Sequence, residues 1–299
     1  MFKGGCRKKV LKPEVKREVV NWWRKHLGQS IRRGCGLLKL NRSTYHYEKK
    51  EEDWENQEIR KRMRELAHQR PRFGSPRIHV MLRREGWKVN HKRTERIYSE
   101  EKLSIRRKPK KKRVSMVRVE PEPAKQMNEI WAMDFVSEKL WHNRCFRALT
   151  VIDVFTKECL EIKVDTSIGG EMVVIVLDRL ISYHGKPKVI RTDNGSEFMS
   201  KAVDAWAYKN GVKQDFISPG KPVENHYIES FNGRFRDECL NMHYFTSLKE
   251  AKEVIEMWRE DYNNVRPHKT LAQQTPMEFK QKHLTKTRSV VQDRTLVLV

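Results

Sequence analysis

The sequence contains no run of 18 apolar residues and no signal peptide ahead of a cleavage site, which excludes a membrane-spanning helix of ordinary length and leads us to expect a cytoplasmic protein. Its five cysteines, Cys6, Cys35, Cys145, Cys159 and Cys239, are odd in number, scattered and never spaced Cys-x-x-Cys. Neither a disulfide framework nor a zinc knuckle is indicated. The eleven histidines form no paired His/Cys pattern, which leaves carboxylates as the plausible metal ligands. No internal repeat and no sustained heptad pattern is visible. The first 120 residues also lack acid: they hold 37 Lys+Arg against 14 Asp+Glu, while the other 179 hold 26 against 25. Nearly all of the net charge of +24 therefore sits in the front two-fifths of the 299-residue chain. That asymmetry reads as a polyanion-binding front and a near-neutral back, with nucleic acid the favoured polyanion.

What is present divides into helical modules and an α/β core. Residues 13–48 read as helical: Pro13 suits a first turn, and Val15, Val19, Val20, Trp22 and Trp23 are expected to give an apolar face. Ser30 to Leu40, followed by Asn41-Arg42-Ser43-Thr44-Tyr45, is helix-turn-helix-like, although a plain helical bundle fits it as well. A second helical unit runs from Trp54 to Leu103, broken at Pro71–Pro76 and at Gly86–Asn90. Arg77, Lys92, Arg93 and Arg96 are expected on or near its exposed faces, as DNA contacts. Residues 106–113 hold seven basic residues in eight and read as a solvated linker; Arg106, Arg107, Lys110, Lys111 and Lys112 can track a phosphate backbone.

After Pro121-Glu122-Pro123 the composition turns β-rich. Ile130–Val136, Phe146–Val154 and Leu160–Val164 read as strands, Gly170–Tyr183 as a helix, Val189–Thr192 as a strand, a stretch through Val203, Trp206 and Tyr208 as a helix, and Phe216-Ile217 as a last strand before another helix, Glu224–Leu240. The order predicts a mixed sheet with an antiparallel start, flanked by helices. The expected domains are 1–50 and 51–105, both helix-turn-helix-like; 106–123, linker; 124–245, catalytic core; and 246–299, a helical extension. Trp206 and Trp258 are expected in the core.

Three acids stand out. Asp134 lies inside an apolar strand, where a charge is costly unless it is paired or holds a metal. Asp193 closes the strand Val189–Thr192, at the carboxyl end where open α/β sheets bind ligands. Glu229 falls in a helix with Asn225 four residues before it and Arg236 seven after, so all three are expected on one face. Such acids suit phosphoryl transfer through magnesium, with Arg236 offering a cation to a phosphate. Any three of 39 acidic residues prove little alone, and Asp193-Asn194-Gly195 is also an ordinary turn.

The runs Trp131-Ala132-Met133-Asp134-Phe135, Arg191-Thr192-Asp193-Asn194-Gly195-Ser196-Glu197-Phe198, Ile217 to Leu240, Tyr262-Asn263-Asn264-Val265-Arg266-Pro267-His268 with Leu271, and Thr275-Pro276-Met277-Glu278-Phe279 resemble those of a known family. This is the group of bacterial insertion-sequence transposases with a retroviral-integrase-like core, often made from two overlapping reading frames. The 35 residues between Asp193 and Glu229 match the family's interval between its second and third acids. The resemblance spans roughly residues 30–280. It implies a ribonuclease-H-like core in which Asp134, Asp193 and Glu229 bind magnesium, with manganese able to substitute. Asp134 would be the bridging ligand, with Asp193 and Glu229 completing the separate ions. Arg236, Asn225, Lys221 and Asn194 become candidates for DNA contact near the acids. It further implies cutting of element ends and joining of the 3′-hydroxyl to target DNA, a copy-out route through a circular intermediate, and a homo-oligomer that pairs two ends at the nucleoid. Relatives of this group carry an upstream helix-turn-helix and leucine zipper, so this chain is expected to be the downstream-frame product, acting with or fused to an upstream partner. Rival readings are a catalytically idle DNA-binding regulator and a nonspecific nuclease. His226, Cys239 and His268, near the motifs, suit packing or hydrogen bonding as readily as DNA contact.

Overall fold

The computed structural model describes residues 12–47, 53–105, 123–217 and 225–285, which group into two units, Met1–Lys61 and Arg62–Val299. No described helix is long and apolar enough to cross a membrane, and the four described cysteines are free.

The first unit contains α1 (Pro13–Leu27), α2 (Ile31–Leu37) and α3 (Arg42–Tyr45) around Val20, Cys35 and Leu40. Pro13 opens α1, Ser30 caps α2 by accepting from the Arg33 N–H, and Asn41 caps α3 by accepting from the Ser43 N–H. The apolar face expected on α1 is only partly used. Val20 is buried, but Val15 and Trp22 are exposed, because Trp22 and Trp23 lie about 100° apart on a helix and cannot both face so small a core.

The second unit includes the end of α4 (Trp54–Gln69), α5 (Ser75–Arg84) and α6 (His91–Glu100), with the breaks where Pro71–Pro76 and Gly86–Asn90 place them. Pro76 sits in the first turn of α5, and the Asn90 side chain caps α6 by accepting from the Lys92 N–H. Phe73, Ile78, Leu82, Ile97 and Tyr98 fill this module. Its arginines reach across the unit. Arg70 makes a two-pronged pair with Asp261 at 2.5 Å, Arg77 meets Glu238 at 3.0 Å, and Arg84 meets Glu278 at 2.7 Å. Arg77, expected on or near an exposed face, is half-buried, with its guanidinium committed to a carboxylate 161 residues away.

The sheet has the order β3-β2-β1-β4-β5, with β1 (Ile130–Lys139), β2 (Cys145–Asp153) and β3 (Cys159–Asp165) antiparallel, and β4 (Val189–Thr192) and β5 (Lys213–Phe216) parallel to β1. The last strand lies earlier than the expected Phe216-Ile217. It is an edge strand that starts with Lys213, Gln214 and Asp215 and ends on Phe216; paired on one side, it carries little apolar signal.

Alternation along the strands sorts side chains to two faces. Trp131, Met133, Leu149 and Val151 pack against α7 (Gly170–His184) and α8 (Lys201–Asn210), with Trp206 in this layer. Ala132, Val136, Ala148 and Ile152 pack against α9 (His226–Glu238) and α10 (Leu248–Asn264), with Trp258 at its margin. A last helix covers 276–285.

The segment around Tyr262–His268 locks this second layer. Asn263 accepts from the Cys159 N–H at 2.9 Å and donates to its carbonyl at 2.8 Å, pinning α10 to β3. Arg266, only 2% exposed, donates to both oxygens of Glu238 at the end of α9. His268 stands beside it and is kept neutral: burial, then the charges of Arg266, Arg234 and Arg77, push its pKa down to about 2. In the unfolded chain the imidazole takes a proton near 6.5, so the unfolded state binds more protons over that window and stability falls as pH drops below 6.5. Between pH 7 and pH 5 this one group should cost about 2 kcal/mol. Urea unfolding of the parent and His268→Gln at both pH values is expected to show a correspondingly smaller acid loss in the variant; equal losses would mean that His268 is protonated in the fold.

Candidate active site

Asp134 shares the face of Ala132 and Val136, so strand alternation alone aims it at α9. Opposite it in register on β2 stands Thr150. The Asn232 amide donates to Asp134 Oδ2 at 2.8 Å, the Phe135 N–H donates to Oδ1 at 2.7 Å, and the Thr150 hydroxyl lies 3.0 Å from both Asn232 Oδ1 and the Asp134 carbonyl oxygen. Thr150 is fully buried and Asn232 nearly so. The carboxylate is therefore held in a fixed direction by neutral donors rather than by a cation. Burial pushes its pKa up; the Phe135 N–H pulls it down, the charge of Asp193 pushes it up again, the Asn232 amide pulls it down, and Glu229 adds a further upward push. The balance leaves it above the usual aspartate value.

Asp193 follows β4, whose register with β1 pairs Ile130 with Val189 and Ala132 with Arg191; continuing that offset sets Asp193 alongside Asp134. Its loop is tied down at every turn. Asp193 Oδ1 accepts from the Gly195 N–H at 3.0 Å, and the Asn194 amide donates to the Ile217 carbonyl at 3.1 Å. Glu197 pairs with Arg147 of β2, whose guanidinium lies 4.1 Å from the Phe135 ring centroid, and Phe198 stacks on that ring from a buried position. A Cβ at Gly195 would meet Asp193 Oδ1 at 3.0 Å, and one at Gly170 would meet the Ser200 hydroxyl at 2.0 Å. Glycine at these two positions lets the loop fold over its own carboxylate and nest on the start of α7.

Glu229 is exposed in the first turn of α9, where the positive end of the helix dipole favours a carboxylate. Asn232, one turn on, shares its face. Asn225 precedes α9 rather than lying inside it as expected: it occupies the N-cap position with non-helical φ and ψ, and it is buried. Arg236 lies farther along the same helix, half-exposed, its Nη1 3.5 Å from the Ser137 carbonyl and 4.0 Å from Glu138. Among the described residues, no three His, Cys, Asp or Glu side chains are already gathered closely enough to hold an ion. Asp193 and Glu229 face solvent, as like charges do when nothing of opposite sign lies between them.

Of the residues read as DNA contacts, Lys92 and Arg96 are exposed on α6, Arg96 3.7 Å from Glu100, and Arg93 is half-buried. Asn194 is exposed but its amide serves the Ile217 carbonyl. Lys221, Arg106, Arg107, Lys110, Lys111 and Lys112 lie outside the described residues. Cys239 and His268 are buried in packing roles, and His226 is half-buried at the start of α9. Sequence reading missed Thr150, Asn232 and Arg147. Asn232 was within reach of the helical spacing that linked Asn225, Glu229 and Arg236, whereas Thr150 and Arg147 depend on a strand register that spacing does not reveal.

The Integrase core domain family matches residues 124–222 and 210–276, and the HTH-like domain family matches residues 54–113. The chain is similar to the "Insertion element IS407 uncharacterized 31.7 kDa protein" of Burkholderia multivorans, with 48% identity over 87% of this chain and 94% of that protein. It is also similar to the "Putative transposase InsK for insertion sequence element IS150" of Escherichia coli, with 27% identity over 81% of this chain and 90% of that protein. Among solved structures, a chain in the cryo-EM structure of the simian T-cell lymphotropic virus intasome in complex with PP2A regulatory subunit B56 gamma covers 73% of each chain at 15% identity and a TM-score of 0.48.

The Asn232 amide stabilises the charged form of Asp134, so Asn232→Ala should drive the Asp134 pKa higher still. Carbon-detected NMR titration of the aspartate carboxyls in metal-free buffer measures this directly; an unmoved Asp134 resonance would remove Asn232 from the site.

Proposed function

Since this chain belongs to the bacterial insertion-sequence transposases with an integrase core domain, we propose that it cuts DNA at element ends and joins the freed 3′-hydroxyl to target DNA by metal-assisted phosphoryl transfer. The observation that carries this reading is the meeting of three carboxylates from separate elements: the β1–β4 register sets Asp193 alongside Asp134, and α9, whose Asn232 holds Asp134, carries Glu229 one turn earlier. Asp193, 59 residues from Asp134, and Glu229, 95 residues from it, both raise the Asp134 pKa through space. A buried acid made still costlier by two neighbours of its own sign is stabilised by a cation.

The donor set fits magnesium, with manganese as a substitute: every donor is a carboxylate oxygen, one is fixed in direction, and two stand in solvent where they can turn toward an incoming ion. Asp134, Asp193 and Glu229 would hold the metal. When bound, such ions activate the attacking oxygen and stabilise the leaving one.

The protein's own groups do the positioning. Asn232 and Thr150 hold the Asp134 carboxylate in place, and the Arg147–Glu197 pair with the stacked Phe135 and Phe198 holds the Asp193 loop. Arg236 offers a guanidinium to a phosphate on the Glu229 face of α9. Lys92, Arg93 and Arg96 of α6 supply contacts to the DNA backbone, alongside the basic run at 106–113. Pairing two ends requires a homo-oligomer on DNA, with an upstream-frame product as partner or fusion and the nucleoid as the place of work.

The test is joining of a native element end to plasmid DNA with magnesium. Asp134→Asn, Asp193→Asn and Glu229→Gln should each lower cutting and joining by at least about a hundredfold, beyond what loss of an outer partner costs, and leave end binding intact. Cutting without joining by the parent would identify a nonspecific nuclease. End binding with neither activity, with and without an upstream partner, would identify a regulator.

A further inference from the structure

A second feature of the core lies beyond the carboxylates, at the far end of α9. The β1–β2 turn presents Trp141, and the loop after the 3-10 turn Leu240–Met242 presents Tyr244. These rings meet edge to face with centroids 6.1 Å apart, yet Trp141 is 75% and Tyr244 83% exposed. They border a 390 Å³ pocket, of the size that takes a small planar ligand.

The pair is built into the fold. The turn is closed by the Leu140 N–H to the Arg144 carbonyl and the Asn143 N–H to the Leu140 carbonyl, both at 2.9 Å, with Asn143 in the left-handed region at φ 63°. The Trp141 N–H donates to the Phe245 carbonyl at 2.8 Å, so the two loops are joined through backbone. Phe245 is buried edge-on against Phe146. The backbone bonds fix where the two loops carry the rings, and because the rings stand at 87° a base that stacks on one meets the other edge-on.

The charge around them is complementary to a nucleic acid strand. Lys139 is exposed in the pocket wall, Arg144 is exposed in the same β1–β2 turn as Trp141, and Arg236 leads back along α9 to Glu229. Glu138, an acid in the pocket wall, accepts from the Lys139 N–H and lies against Arg236. Glu238, the last residue of α9, is nine residues from Glu229, about 14 Å of helix, a span of roughly four nucleotides.

We propose that Trp141 and Tyr244 form a stacking platform for an unpaired DNA base, a subsite on the strand that runs from the carboxylates along α9. The subsite rests on the strand-transfer reading above, and aromatic faces beside basic side chains are the means by which proteins hold unpaired bases without reading sequence.

The experiment uses the full chain in metal-free buffer, with a forked oligonucleotide carrying 2-aminopurine in its unpaired arm and the matching blunt duplex. The parent should quench the fluorophore and bind the fork more tightly than the duplex. Trp141→Ala and Tyr244→Ala should each weaken fork binding about tenfold and leave duplex binding unchanged, while Trp141→Phe keeps most of it. Unfolding curves matching the parent establish that the variants fold. Equal loss on fork and duplex, or no loss on either, overturns the platform. A change in sedimenting mass on Trp141→Ala overturns it in favour of a second copy of this chain as the occupant. If joining fails while the fork preference stands, the strand-transfer reading falls and the base site survives; if joining stands without the preference, only the base site falls.

Discussion

Glu238 is the point on which the second unit is assembled. Taking a carboxylate out of water is unfavourable, and burial alone pushes its pKa up. The hydrogen bonds and charge of Arg266, then the charge of Arg77, outweigh that push and hold it below the usual range. The three groups come from distant parts of the chain: Arg77 from the helical module, Glu238 from the end of α9, and Arg266 from the segment after α10. Removing one partner would leave an uncompensated buried charge, so the cluster acts as a joint rather than as three separable contacts. Through it the helix that carries Glu229 is fixed at its far end to the module that carries Lys92 and Arg96.

The same economy runs through the carboxylate site. Each acid is set by a different local rule: strand alternation for Asp134, a strand end and an Asx turn for Asp193, a helix first turn for Glu229. None of these rules needs the others. The constellation follows from the order of the strands, because β4 lies beside β1 and α9 lies over the face to which Asp134 points.

This explains what could be read in advance. The strand and helix order, the turns at Pro71–Pro76 and Gly86–Asn90, and the three acids are carried by local pattern, and the sequence makes them visible. Thr150 and Arg147 act across strands, so their roles exist only once register is known. The partner of Arg77 was hidden for a related reason: a basic side chain on an amphipathic helix advertises its charge but not a carboxylate 161 residues away. The run Tyr262–His268 carries part of the family resemblance, and in the fold its residues pack, clamp a strand and balance Glu238. Trp22, on the expected apolar face of α1, stays exposed because a helix periodicity says which side is apolar, not how much neighbouring surface exists to cover it.

Asn263 grips both backbone groups of Cys159, across 104 residues of chain, at the outer side of the edge strand β3. A side-chain amide here does the work of a neighbouring strand, so a stretch of the sheet rim that could recruit another molecule is already occupied. It also sets an order of events during synthesis. The first three strands are complete by Asp165, but their rim is not sealed, nor the α9 joint closed, until the ribosome has released the chain beyond Arg266. Nascent protein therefore carries Asp134, Asp193 and Glu229 before it carries the residues that fasten α10 to β3 and close the joint at the end of α9.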